Sequence, residues 1–223
     1  MESPKPAPND PMAKVVDLLR RNPAARRTLS IVSGLLLVGA IGMIGFPYFT
    51  NVLQGRTQSN LDKQLKSDEL AQAYRDRRVG IGDALTRIKI PAIDVDVVVV
   101  EGTTASALRA GAGHYPSTPL PCEVGNVAIA GHRTTYGKPF NQLDRLAPGD
   151  KIDLVTPIGQ CEYVVTDRGP NIPNPFTVDP SNLQIVANTP GERNLTLTTC
   201  HPKGSAKQRL VIRAHLVTGA QDA

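Results

Sequence analysis

The chain has 223 residues, room for one ordinary domain plus appendages, and a hydrophobic fraction of 40% compatible with a packed core. Its formal charge of +5 does not mark a nucleic-acid binder, because the basic residues are spread out and their strong cluster stands directly before an apolar run. P-loop, dinucleotide and Ser-elbow patterns are missing, and no Cys/His set has zinc spacing, so nucleotide, serine-hydrolase and zinc chemistry are set aside.

Met1 to Pro11 is polar and Pro-rich without a period and reads as a disordered tail; Lys14 to Arg20 can form a short amphipathic turn. Thr28 to Tyr48 carries no charge and is long enough to cross a bilayer as a helix. Arg20, Arg21, Arg26 and Arg27 precede it, which puts the N-terminus in the cytoplasm and the remainder outside the cell. The rivals are a buried helix of a soluble protein and a signal peptide cleaved near Val38-Gly39-Ala40. The apolar run continues well past that site, which favours an uncleaved anchor. The expected organisation is a cytoplasmic tail over 1–27, a transmembrane anchor over 28–49, an extracellular stalk over 50–83 and a compact domain over 84–219.

In the stalk, Ser59-Asn60 can cap a polar helix from Leu61 to Arg78, whose Leu61, Leu65 and Tyr74 are too sparse to form a core. Gly80-Ile81-Gly82 reads as a flexible joint. Beyond it the signals are short Val-, Ile- and Thr-rich strands bounded by Gly, Pro or Asp: Ala84–Ile90, Val95–Val100, Asn126–Ala130, Lys151–Thr156, Glu162–Thr166, Leu195–Cys200 and Arg209–Val217. Short helices are expected at Ala105–Arg109, Phe140–Leu146 and Ser181–Ile185. Many antiparallel-looking strands with few helices predict a mainly all-β, closed or nearly closed barrel rather than a parallel α/β sheet. Asp167 to Asn194 is a long connection stiffened by prolines, either a functional loop or a plain surface connection.

Three cysteines outside the cell leave one over if two pair. A disulfide between Cys122 and Cys161 would leave Cys200 free; two inert buried thiols are the alternative, and spacing does not decide between them.

The chemistry concentrates in two stretches. In Thr196-Leu197-Thr198-Thr199-Cys200, period two puts Leu195 and Leu197 on one face and Thr196, Thr198 and Cys200 on the other. If Gln208-Arg209-Leu210-Val211-Ile212 pairs with it as a hairpin, Arg209 projects beside Cys200, where a guanidinium favours thiolate and can steady an oxyanion. The proton partner is His132, which follows a short apolar strand in Asn126-Val127-Ala128-Ile129-Ala130-Gly131-His132. Thr199, beside the thiol, could hydrogen-bond substrate backbone. His201 should point to the opposite side of the strand from Cys200, and His114 and His215 read as satisfied structural residues.

In this order, "GHRTTYGKPFNQLDRL", "TLTTC" and "QRLVIRAHL" resemble the sortase family of cysteine transpeptidases over about Thr86 to Val217. With Gly113-His114-Tyr115-Pro116 and Thr198-Thr199-Cys200-His201-Pro202, the resemblance is most like class E sortases of actinobacteria. It implies an eight-stranded barrel and catalysis by His132, Cys200 and Arg209. It also implies a C-terminal sorting signal of LPxTG type, with Ala favoured over Pro and Tyr115 near that subsite, and transfer through a thioacyl enzyme to a cell-wall precursor amine. No cofactor, metal or nucleic acid is expected, and the enzyme should be a single-pass protein of the cell membrane. The rivals are a surface cysteine endopeptidase that hydrolyses its thioester, and a non-enzymatic barrel with an incidental thiol. A papain-like protease would place Cys before His, and an L,D-transpeptidase would have its cysteine in a Ser-His/x-Gly-Cys setting absent here.

Overall fold

The computed structural model describes residues 11–167 and 174–219. The polar tail before Pro11 and positions 168–173 of the long connection lie outside the described residues. The chain divides into two compact units, Met1–Tyr48 and Phe49–Ala223.

In the first unit α1 spans Pro11–Arg21, and α2, spanning Pro23–Leu65, begins there. Asn22 caps α2 by accepting from the N–H groups of Ala24 and Ala25, both at 3.1 Å, and Pro23 occupies the first helical turn, where its missing donor costs nothing. The stretch Pro23–Phe46 is long and apolar enough to cross a membrane, and its apolar core is not buried among the described residues.

The second unit begins with the end of α2, from Phe49 to Leu65, and here a correction is needed. Leu61, Leu65, Leu70 and Tyr74 are all buried, the three leucines in a small core with Ala84, Val98, Val100 and Ala107. The apolar positions are sparse in sequence, but the leucines meet the barrel wall and the Tyr74 hydroxyl donates to Pro121 O at 3.1 Å. Polar side chains add to the attachment. The Gln58 amide accepts from Val98 N at 2.7 Å and donates to the carbonyls of Val98 (3.1 Å) and Ala110 (2.8 Å), acting as a piece of strand backbone. Gln64 accepts from Ala84 N at 3.0 Å and donates to Asp83 at 2.9 Å. The helix expected over 61–78 is in fact the end of α2 plus a separate α3, Asp68–Arg75, capped not at Ser59-Asn60 but by Ser67, whose hydroxyl accepts from Leu70 N at 3.2 Å.

Among the described residues nine strands follow: β1 Ala84–Ile90, β2 Val95–Glu101, β3 Ala112–His114, β4 Gly125–Ala130, β5 Lys151–Thr156, β6 Gly159–Val165, β7 Phe176–Val178, β8 Arg193–His201 and β9 Gln208–Gly219. Their order is β6-β5-β1-β2-β3-β4-β8-β9-β7, and a further β6–β9 pairing closes the sheet. Eight strands therefore form the barrel. β7 lies outside the ring on the first half of β9, at Val178↔Arg209, while β6 takes the second half.

Two strands escaped the sequence reading, β3 and β7, each three residues long and too short to display a period. Two pairings are parallel, β2 with β3 across α4 (Ala105–Ala110), and β4 with β8. The helices expected at 140–146 and 181–185 are single 3₁₀ turns, Leu143–Arg145 and Leu183–Val186. The barrel interior is aliphatic, with Ile88, Ile129, Leu154, Leu195, Leu197 and Ile212 fully buried around Phe140 and Tyr163. Cys122 and Cys161 form a disulfide that ties the loop before β4 to β6, leaving Cys200 as the free cysteine.

Candidate active site

Cys200 stands near the end of β8. In the antiparallel ladder with β9 it is directly opposite Arg209, and the pairing continues through Thr198↔Val211 and Thr196↔Arg213. Residues facing each other in such a ladder project to the same side. Arg209 Nη1 lies 3.7 Å from Cys200 Sγ and also donates to the carbonyls of Ala206 (3.2 Å) and Gln208 (3.3 Å). The turn itself thus aims the guanidinium at the sulfur. Both residues are half-buried.

His132 arrives on the other neighbour of β8. β4 runs parallel to β8 as far as Ala130↔Thr198, one strand spacing of about 4.8 Å apart. Gly131 prolongs the pairing: its N–H donates to Thr198 O at 3.0 Å, and its carbonyl accepts from the Thr199 hydroxyl at 2.8 Å. His132 and Cys200 are therefore each two residues past the last paired positions of adjacent parallel strands.

The loop carrying His132 is held carbonyl by carbonyl. Phe140 N donates to His132 O at 3.1 Å and the Asn141 side chain donates to Arg133 O at 2.6 Å. Gly131 is required sterically, since a Cβ there would stand 2.5 Å from the buried Phe140 ring. Further along, Tyr136 has φ +50° and Gly137 φ +69°, and Gln54 of α2 occupies the space that a side chain on residue 137 would need. The Tyr136 ring lies 5.1 Å from the His132 ring, and the Arg109 guanidinium is 5.9 Å above Tyr136.

Burial, and secondly the positive charge of Arg109, lower the His132 pKa below its ordinary 6.5. The imidazole is consequently neutral at pH 7.

Two other expected residues have definite places. Tyr115 follows β3, and its hydroxyl lies 3.3 Å from Thr198 Oγ1, on the same side of β8 as Cys200. Its segment is anchored by buried His114, whose Nδ1 is 2.8 Å from the Glu101 carboxylate and whose Nε2 is 2.9 Å from Pro119 O. Thr199 takes a different part from the one expected. Its side chain is 3% exposed, on the barrel-interior side, and its hydroxyl proton goes to Gly131 O, so it serves the histidine loop. His215 is exposed on β9 rather than enclosed. Among the described residues, no group of three His, Cys, Asp or Glu could hold a metal ion.

Arg133 was missed by sequence reasoning. Only 3% exposed, it donates through Nη1 to Cys200 O (3.2 Å) and His201 Nδ1 (2.9 Å), and its Nη2 pairs with Asp144 at 3.0 Å. Its position directly after the candidate histidine was visible, but nothing local distinguishes a buried arginine from a solvated one.

Along the same outer face, Ala128 and Ala130 of β4 lie beside Thr196 and Thr198 of β8. This floor of small side chains runs toward the sulfur. At its far end Thr196 donates to Asn126 Oδ1 at 2.6 Å and accepts from Arg213, while Asn126 binds the carbonyls of Ile185 and Ala187, closing that end.

A family model described as a sortase domain matches residues 88–217. The curated protein "Sortase SrtE1" of Streptomyces coelicolor is 30% identical over 236 residues, covering 95% of this chain and 64% of that protein. This chain thus spans less than two thirds of that relative. Among solved structures, the sortase D5 transpeptidase of Clostridium perfringens superposes with a TM-score of 0.62 at 27% identity, over 74% of this chain and 99% of that one. Sortase E1 from Streptomyces coelicolor, solved with a tripeptide in the active site, gives a TM-score of 0.55 at 29% identity, over 62% and 90% of the two chains.

Proposed function

The chain belongs to the sortase family, and from that premise we propose that it is a cysteine transpeptidase of the class E kind. It cuts a C-terminal sorting signal of the LAxTG or LPxTG type and transfers the new C-terminus to a cell-wall precursor amine. The observation that carries this reading is the free thiol of Cys200 with the Arg209 guanidinium 3.7 Å away, on a strand whose other neighbour delivers His132. The tripeptide bound in the related active site supports a peptide substrate.

In the proposed reaction the Cys200 thiol proton passes to His132 as the sulfur attacks the scissile carbonyl carbon. Arg209 donates hydrogen bonds to the resulting tetrahedral oxyanion. His132, now imidazolium, protonates the leaving amine as the C–N bond breaks, leaving a thioester on Cys200. The acceptor amine loses a proton to neutral His132 and attacks the thioester. The C–S bond breaks, and the sulfur recovers a proton from His132. The depressed pKa of His132 makes its imidazolium a stronger acid toward the leaving amine, at the cost of fewer resting thiolate–imidazolium pairs. Tyr115, over the alanine and threonine floor, is the proposed neighbour of the residue at the Ala/Pro position of the signal.

The same reading makes the apolar part of α2, over 28–49, a membrane anchor with the N-terminus in the cytoplasm and the barrel outside the cell, supported by its apolar length and by Arg20, Arg21, Arg26 and Arg27 before it. The test uses the full chain in detergent with LAxTG-like and LPxTG-like peptides, with and without an amine acceptor. An amide product that requires both acceptor and Cys200 is expected. Cleavage that never incorporates the amine would make the protein an endopeptidase, and turnover by the Cys200→Ala variant would remove the whole reading.

A further inference from the structure

We propose that Arg133 is a positioning residue for this reaction, with His201 Nδ1 as one of its acceptors: it fixes the Cys200 peptide unit to the loop that carries His132. The proposal rests on the reading of Cys200 and His132 given above. Burying a guanidinium is costly, and a well-packed apolar side chain at such a place is often as stable or more so. Here the arrangement also leaves Arg133 Nε buried without a hydrogen-bond partner among the described residues, a further penalty. Stability alone therefore gives no reason for arginine.

Its contacts supply one. Nη1 donates to Cys200 O and His201 Nδ1, while Nη2 is held by Asp144, itself 3.9 Å from the Lys203 ammonium. The planar guanidinium fixes the directions of both nitrogens at once, which a lysine ammonium on a flexible stem cannot do. On the other side of the histidine, Gly131 O accepts from Thr199. His132 is thus bracketed by two cross-links to β8, Gly131 to Thr199 and Arg133 to Cys200, which set the histidine and cysteine Cα atoms in register. Because His201 Nδ1 accepts from a guanidinium, that nitrogen carries no proton and the ring hydrogen sits on Nε2.

The experiment compares Arg133→Met, Arg133→Lys, His201→Asn and His201→Leu with the parent in the full chain. It reads kcat and KM on a sorting-signal peptide, the rate of Cys200 alkylation by iodoacetamide, and the melting temperature. Displacement of the reacting pair by about an ångström should cost Arg133→Met on the order of 10- to 100-fold in kcat with KM little changed. Arg133→Lys should recover part of the loss. His201→Asn, whose amide oxygen can stand in for Nδ1, should stay near the parent, whereas His201→Leu should follow Arg133→Met. Full kcat in a folded Arg133→Met variant, or a loss confined to KM, overturns the proposal. Should that variant not fold, the His201 pair decides, and equal activities of the Asn and Leu variants overturn it. Failure of the underlying function looks different, since Cys200→Ala would then retain turnover.

Discussion

The two halves of the candidate site are held by different kinds of force. Cys200 and Arg209 sit opposite each other in one antiparallel ladder, nine positions apart in sequence, and backbone hydrogen bonds between neighbouring strands set their approach. His132 lies in a loop whose shape depends on side chains from Thr199, Phe140, Asn141 and Arg133, together with the α2 residue Gln54 behind Gly137. The hairpin is local and tolerant, because most residues can occupy a ladder. The loop is non-local and exacting, because each carbonyl has one designated donor and little space around it. Substitutions in the hairpin should accordingly remove chemistry and leave the fold intact, whereas those in the loop should disturb folding and chemistry together.

The largest effect expected is on the hairpin. Arg209→Ala should lower kcat by about 10²–10³-fold, the cost of losing an oxyanion donor, with the melting temperature unchanged. A variant that melted well below the parent would break the contrast by making Arg209 structural.

Next comes Gly131→Ala in the loop. Its Cβ would meet the Phe140 ring inside the barrel core. A loss of about 1–3 kcal/mol in denaturant unfolding is expected, accompanied by a fall in kcat. Wild-type stability would mean that the ring yields and that the loop is softer than its packing implies.

Thr199→Val should act more gently. It keeps the shape and removes the donor to Gly131 O, a change of about 1 kcal/mol. A moderate loss of kcat without a change in KM would support its service to the loop; a rise in KM alone would return Thr199 to the substrate contact first expected of it.

The smallest effect concerns charge. Arg109→Ala removes the secondary cause of the lowered His132 pKa, so the imidazole NMR titration should move upward, toward 6.5, while burial keeps it below that value. The sign extends to stability. A histidine that binds its proton less readily folded than unfolded lowers stability as pH falls below about 6.5, and the Arg109→Ala protein should lose less over that window.

Legibility in the sequence followed the same division. Cys200 and Arg209 could be placed together from alternation and a short turn, since period-two patterning fixes which residues share a face. Thr199 was assigned to substrate because the neighbour of a nucleophile invites that role, yet the same alternation turns its side chain inward. Leu61 and Leu65 looked too isolated to pack because their partners, Val98 and Val100, belong to a strand more than thirty positions away. β3 and β7 were silent for want of length, although β3 carries the chain into Tyr115.

The sequence by itself determined the apolar helix, most barrel strands, the thiol, its facing arginine and a histidine after a glycine, because each is written in local period or residue chemistry. Tertiary structure alone decided that Cys122 bonds Cys161, that the end of α2 packs on the barrel, and that Arg133 spans from the histidine loop to the Cys200 carbonyl. Those outcomes depend on which strands become neighbours when the sheet closes, and closure is a balance over the whole core that no window of sequence contains.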